Sequence, residues 1–125
     1  MRLFKTYFLA IFTLTICCNS FSQQNAVKIG DAKNVPVIEL QGNGYHRGLQ
    51  HGKLLKTEIA EVFKKWKKDI ETNTEQNADT VIDNFIRNTN FEPAIKKWTP
   101  EIYEEIKGIA QSSGQAFKDV YSFQL

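Results

Sequence analysis

The sequence has 125 residues, 42% of them hydrophobic and 24% charged, with 16 Lys and Arg against 14 Asp and Glu. Two of the basic residues, Arg2 and Lys5, lie in the first five positions, so the rest of the chain carries no net charge and no signature of nucleic-acid binding. A chain of this length suits one domain, which can bury roughly 65% of its unfolded surface.

Residues 1–22 have the pattern of a secretory signal peptide. A predominantly apolar run, 7–18, follows the two basic residues, and the segment contains no acidic residue. Ser20 and Ser22 provide the small side chains of a cleavage site between Ser22 and Gln23. The apolar run is too short for a comfortable membrane span. We therefore expect an exported chain that begins at Gln23.

Both cysteines, Cys17 and Cys18, fall inside this segment. A mature chain beginning at Gln23 therefore has no disulfide framework and no thiolate metal site, and its apolar core must hold it together. In an alternative interpretation Cys18 is the lipid-modified first residue of a lipoprotein. The preceding residues, 15–17, lack the usual small residue, so we favour simple cleavage.

The next two segments predict a leader and one strand. Residues 23–34 are polar and predict a flexible leader. The β-branched run 35–40 predicts a strand that ends in a turn over 41–44, and its proline restricts it to an edge or a strand start. No other segment carries a strand pattern, so we expect this strand to pair outside the sequence or to fray.

A helical period begins at about residue 45. Its apolar stripe consists of Leu55, Ile59, Val62, Phe63, Trp66 and Ile70. Continued backwards, the stripe meets Gly52 and Gly48, which predicts that another backbone approaches closely there. The opposite face carries Lys64, Lys65, Lys67 and Lys68. Because acidic neighbours neutralise much of that charge, a solvated face is favoured over a basic docking patch.

Two further helices follow a polar break at 72–78. The first is centred on 81–86, and 91–93 begins a new turn. The second starts with Thr99 as N-cap and Pro100 in the first turn, and it ends at Gly114. Its predicted inward residues are Ile102, Ile106, Ile109 and Ala110, and the tryptophans Trp66 and Trp98 are predicted core residues. An apolar element begins at 117, and the sequence stops within it, which predicts an incomplete domain.

The residues themselves provide no catalytic system. His46 and His51 project about 140° apart on a helix and cannot jointly hold a metal ion. The glycines between strand and helix, at 42, 44 and 48, match no phosphate-binding motif. No serine has a nucleophile context, since none lies near a histidine in the sequence. We therefore predict no catalytic residue, no metal and no cofactor in this chain.

Two stretches nevertheless resemble a known family when they are considered together. They are LQGNGYHRGLQHGKLL (40–55) and WTPEIYEEIKGIA (98–110), the latter followed by Gly114 and Asp119-Val120. The first is similar to a strand, turn and "G-x-Q-H-G" helix start, and the second to a "P-x-x-x-E-E-I-x-G-I-A" helix. Both occur in the acyl-CoA:6-aminopenicillanate (isopenicillin N) acyltransferase family, the C45 family of autoproteolytic acyltransferases and hydrolases.

This resemblance implies an α+β fold. The chain would be the mostly helical N-terminal portion, with one strand and three to four helices, of the αββα sandwich of N-terminal-nucleophile hydrolases. Residues 35–125 would belong to that domain, with the glycine face lying against its sheet. Family members cut themselves before a cysteine whose freed amine activates its own thiol. That cysteine would lie beyond Leu125.

The resemblance also implies the partners of this chain. They would be the missing C-terminal segment that bears the nucleophile, and a small-molecule amide or acyl donor. Tyr45, His46 and His51 are the candidates for substrate contact. The rival hypothesis is a free-standing exported helical binding protein without catalytic activity. It predicts cooperative melting of residues 23–125, whereas a fragment with uncovered surfaces would be loose or would aggregate.

Overall fold

The computed structural model describes residues 28–32 and 35–125. Its elements in chain order are β1 (Lys28–Ala32), β2 (Val35–Ile38), α1 (Gly44–Leu54), α2 (Lys56–Thr74), α3 (Ala78–Thr89), α4 (Glu92–Trp98), α5 (Pro100–Ser113) and α6 (Phe117–Phe123). The described part is mostly helical with one small sheet, as the α+β prediction required. Its helix count exceeds the predicted three to four because the shorter α4 and α6 are formed and the first predicted helix is divided.

The predicted signal peptide, with the cleavage site at Ser22 and Gln23 and with Cys18, lies outside the described residues. Within the ranges that the structure covers, no helix combines the length and the apolar character that a membrane crossing needs.

The prediction of an unpaired strand is wrong. β1 pairs antiparallel with β2, with Lys28 opposite Ile38 and Ala32 opposite Val35. Part of the predicted flexible leader is therefore a strand. Only two residues separate the strands in the sequence, so closing the hairpin costs little chain entropy. The sequence pattern missed β1 because Gly30 and Asp31 interrupt it, and the register is irregular between Lys28 and Asp31.

The single helix predicted from residue 45 to 70 is interrupted at Leu55. This residue has φ −110° and ψ 28°, outside the helical region. Hydrogen bonds still cross the break, since Leu55 N–H donates to His51 O and Ile59 N–H donates to Leu55 O. The interruption separates the roles of the two helices. α1 packs on α5 through glycines, whereas α2 inserts Phe63 into the core.

The sequence predicts both ends of α5 at the right residues, but it assigns the wrong role to the Thr99 side chain. Gly114 ends α5 in the left-handed conformation with φ 79°, and Pro100 lies in the first turn of that helix. Thr99 occupies the N-cap position, but its hydroxyl donates to Ile95 O at 3.2 Å instead of capping α5. Because α4 and α5 are contiguous, the Thr99 side chain serves the end of the first helix and is unavailable to the second.

The core lies among α2, α5 and α6. Its buried members are Phe63, Ile106, Ile109, Ala110, Val120 and Tyr121, and the partly buried Trp66 packs against them as predicted. Two predicted core residues are instead on the surface, since Trp98 is 73% exposed and Ile102 is 52% exposed. α4 has seven residues and contacts the core through Ile95, so it leaves Trp98 at its end and the first turn of α5 uncovered.

A matched pair of substitutions tests this assignment. Ile82 is fully buried in α3, whereas Ile102 is half exposed in α5. We expect Ile82→Ala to lower the free energy of unfolding by about 2–5 kcal/mol, because it leaves a cavity. Ile102→Ala should cost less than about 1 kcal/mol. Urea denaturation measures both, and equal losses would contradict the exposed position of Ile102.

Candidate functional site

Four glycines, Gly44, Gly48 and Gly52 of α1 and Gly108 of α5, form the contact between the two helices. A Cβ atom added to Gly48 would lie 2.1 Å from Glu105 O, and one added to Gly52 would lie 2.6 Å from Ile109 O. From the other helix, a Cβ on Gly108 would lie 2.3 Å from Tyr45 O. No side chain fits at these distances, so the predicted close approach of a second backbone is confirmed. Its partner is α5, not the sheet that the resemblance implied.

Polar side chains close one end of this contact. Gly44 N–H donates to Glu101 Oε2 at 2.5 Å, and His46 N–H donates to the N-cap side chain of Asn43 at 3.0 Å. Arg47 donates from Nε to Glu105 Oε2 at 3.2 Å. The N-terminus of α1 is therefore occupied by a carboxylate and a cap of the chain itself.

A side-chain clamp joins the end of the hairpin to α1. Gln41 N–H donates to Gln50 Oε1 at 3.0 Å, and Gln50 Nε2 donates back to Gln41 O at 3.0 Å. One side-chain amide thereby makes the two hydrogen bonds that a neighbouring strand would make. Arg47 NH1 adds a bond to Gly42 O at 2.8 Å. The segment after β2 is thus held against α1 by residues of α1.

The three predicted substrate-contact residues do not form one site. The Tyr45 hydroxyl donates to Gln111 Oε1 at 2.6 Å, so the side chain of Tyr45 lies against α5. The His46 ring lies beside it, with ring centroids 6.1 Å apart. His51 is in the last turn of α1, more than one helical turn further along. No group of three or more His, Cys, Asp or Glu within the described ranges could hold a metal ion.

Tyr45 reaches the border of an open depression of about 390 Å³. Its lining residues are Lys107, Ala110, Gln111, Gln115 and Phe117. Gln111, the acceptor for Tyr45, belongs to this lining. The Phe117 ring stacks on Tyr121 at 5.7 Å between centroids, so one wall is aromatic. The lining combines the apolar Ala110 and Phe117 with the side-chain amides of Gln111 and Gln115, and Tyr45 contacts it through Gln111.

Sequence reasoning missed an ion network that joins α2, α3 and α6. Lys67 Nζ lies 2.6 Å from Asp119 Oδ2 and 3.1 Å from Asp79 Oδ1. Lys118 extends the network to Asp79 at 3.3 Å and to Asp83 at 2.9 Å. The assignment of Lys67 to a solvated face is therefore wrong. Its spacing on α2 was visible in the sequence, but its buried partner Asp119 is 52 residues away.

The network shifts the ionisation of its members. Burial opposes the charge on Lys67, but hydrogen bonds to Asp119 and Asp79 outweigh it and raise the pKa of the ammonium. Hydrogen bonds from Lys67 and Lys118 lower the pKa of Asp79. Both shifts favour the charged forms of Lys67 and Asp79, and the ion pairs of the network link α2, α3 and α6.

Comparisons with known proteins extend this description. No family model matches the sequence, and no solved structure matches it. Protein dcd1A of Dictyostelium discoideum is similar, with 30% identity over 123 residues. The similarity covers 86% of this chain and 28% of the relative. The chain thus spans little more than a quarter of the length of that protein.

The glycine contact can be tested by one added methyl group. Gly→Ala inside a helix normally gains about 1 kcal/mol in helix propensity. We expect Gly108→Ala to lose stability instead, by about 3 kcal/mol or more, because its Cβ would overlap the α1 backbone. Gly114→Ala is the control, since no atom lies within 4 Å of its Cβ position and only the positive φ opposes it. A stabilised Gly108→Ala protein in thermal denaturation would contradict this packing.

The lowered pKa of Asp79 predicts a dependence of stability on pH. An aspartate with a depressed folded pKa stabilises the native state above its unfolded pKa of about 3.9 and loses that contribution as pH falls through the folded value. We expect Asp79→Asn to remove about 0.2–1 kcal/mol at pH 6, the range for exposed ion pairs. At a pH below the depressed folded pKa of Asp79 the two proteins should converge. Urea denaturation at both pH values measures the difference, which would stay constant if the ion pairs contributed nothing.

Proposed function

We propose that this chain is the N-terminal part of a secreted member of the isopenicillin N acyltransferase (C45) family, a cysteine N-terminal-nucleophile acyltransferase or amide hydrolase. One observation carries the proposal. The two stretches that resemble the family are far apart in the sequence, yet they form α1 and α5, which pack directly on each other. Two motifs that occur together because they make one contact are a more specific signal than either motif alone.

The contacts between α1 and α5 explain physically why the two stretches contain these glycines and this ion pair. Gly48 and Gly52 of the first stretch and Gly108 of the second permit the close approach of the helices. Arg47 of the first stretch bonds Glu105 of the second. None of these residues carries chemistry, so the motifs specify a scaffold. This agrees with an N-terminal part that supports a reaction but supplies no nucleophile.

In this proposal the remaining part of the protein supplies the chemistry. A cysteine freed by self-cleavage would attack a small-molecule amide or acyl donor, with its own amine accepting the thiol proton. Among residues 28–32 and 35–125 the two strands of the hairpin pair only with each other, so their outer edges would join the sheet of that part. The similarity to protein dcd1A covers 28% of that relative, which supports the proposal that this chain belongs to a longer protein. Export favours hydrolysis over acylation by coenzyme A, which is scarce outside the cytoplasm.

The rival hypothesis, a free-standing helical binding protein, gains one supporting observation. The glycine face, expected to be uncovered in a fragment, is covered by α5 of the same chain. Cooperative melting of residues 23–125 therefore no longer separates the two hypotheses, because both now have a self-contained helical core. The presence or absence of a downstream nucleophile separates them directly.

The test begins with the reading frame beyond the Leu125 codon. We expect it to continue to a cysteine that follows a glycine. Expression of that longer protein should yield two fragments, with Cys as the first residue of the second, and amide hydrolysis. Replacing this Cys by Ala should abolish both cleavage and activity, whereas Cys→Ser is the conservative control for cleavage chemistry. Survival of both processing and hydrolysis in the alanine variant would refute the thiol mechanism, and a stop codon would favour the binding protein.

A further inference from the structure

The open depression beside α5 and the start of α6 has a volume of about 390 Å³. Its lining residues divide into an apolar part, Ala110 and Phe117, and a polar part, Lys107, Gln111 and Gln115. Sites for small molecules combine an apolar lining with a few polar groups, and their volumes start at about 300 Å³. The depression therefore has the composition and the size of a site for a small ligand.

The aromatic wall of the depression is held in place by the protein itself. The Phe117 ring stacks on Tyr121 with centroids 5.7 Å apart and meets the Tyr103 ring edge to face, also at 5.7 Å. Tyr121 is buried, so the wall rests on the core. A fixed aromatic surface favours a flat ring in the ligand, because two rings stack or meet edge to face with little loss of conformational freedom.

The polar groups beside this wall are hydrogen-bond donors. Gln111 Oε1 accepts the Tyr45 hydroxyl at 2.6 Å, so the Nε2 amide group of Gln111 is the part that remains to donate. Lys107 can only donate, and its Nζ is positioned by both Glu104 oxygens, at 2.9 and 3.0 Å, and by the Tyr103 ring, with its centroid at 5.7 Å. Donors require an acceptor in the ligand, and the ammonium favours an acceptor with a negative charge.

We infer that the depression binds a small aromatic carboxylate, whose ring packs on Phe117 and whose carboxylate binds Lys107 and Gln111. A phosphate or a sulfate would leave the apolar lining uncovered, and a neutral ring would give the ammonium no new partner. The inference uses only side chains of the described residues, and it stands whether or not the proposed function holds.

Benzoate is the probe for this site. It is titrated into the full chain at neutral pH and followed by backbone amide chemical shifts in NMR. We expect a dissociation constant of about 1 mM, as a ligand of this size reaches in an open site, with the largest shifts at Lys107, Gln111 and Phe117. Benzamide has the same shape without the charge and should bind at least about fivefold more weakly. Shifts confined to other residues, or equal affinities for the two compounds, would overturn the inference.

Two substitutions at the rim should act in opposite directions. Lys107→Met removes the ammonium and keeps most of the stem, so benzoate binding should weaken by at least about fivefold. Glu104→Gln frees Lys107 from its carboxylate and should strengthen binding by about twofold. Lys64→Met is the control, since it removes the same charge from an exposed position on α2. Equal weakening by both lysine substitutions, or no gain in Glu104→Gln, would overturn the site.

A third compound identifies the source of the carboxylate. N-acetylphenylalanine carries the ring and the carboxylate as they occur at the end of a peptide. We expect its affinity to stay within about tenfold of that of benzoate, because the depression suits a small ligand. A gain beyond that would assign the site to the carboxyl terminus of a peptide and overturn the small-molecule ligand.

Discussion

The close approach of two helix backbones at Gly48, Gly52 and Gly108 determines the arrangement of the rest of the structure. Each glycine costs about 1 kcal/mol of helix propensity relative to alanine. That cost is offset only if the helices pack without side chains between them, since dispersion contacts fall off steeply with separation. Once α1 and α5 are in contact, Arg47 reaches Glu105, and the Gln50 clamp orients the hairpin. A bulkier residue in this contact would move the whole N-terminal corner.

The opposite side of α5 is held differently. There the core is aromatic and aliphatic, with Phe63, Val120 and Tyr121 as buried members, and an ion network joins the helices that carry them. Asp119 is buried, and its Oδ2 pairs with Lys67 Nζ at 2.6 Å, which offsets part of the cost of burying a carboxylate. The motif residues thus build a scaffold on one side of α5, and an apolar core builds it on the other.

Sequence reasoning succeeded where the signal is local. The left-handed end of α5 at Gly114, the position of Pro100 and the need for a close approach at Gly48 each depend on a residue's own backbone properties. It failed where the burial or the conformation of a residue depends on how neighbouring helices pack. Trp98 has the large apolar side chain of a typical core residue, but α4 is too short to bury it. Leu55 belongs to a regular apolar stripe, yet the helix is interrupted there because α1 and α2 pack against different partners.

The sequence by itself determined the main helical regions, where α5 ends and that two glycines must meet another backbone, because these follow from side-chain periodicity and from steric limits on φ. Only the tertiary structure decided which backbone that is. It also decided that β1 pairs with β2, that Lys67 reaches Asp119, and that Tyr45 lies beside Gln111. These contacts join residues whose separation along the chain carries no periodic signal, so they exist only after the helices have packed.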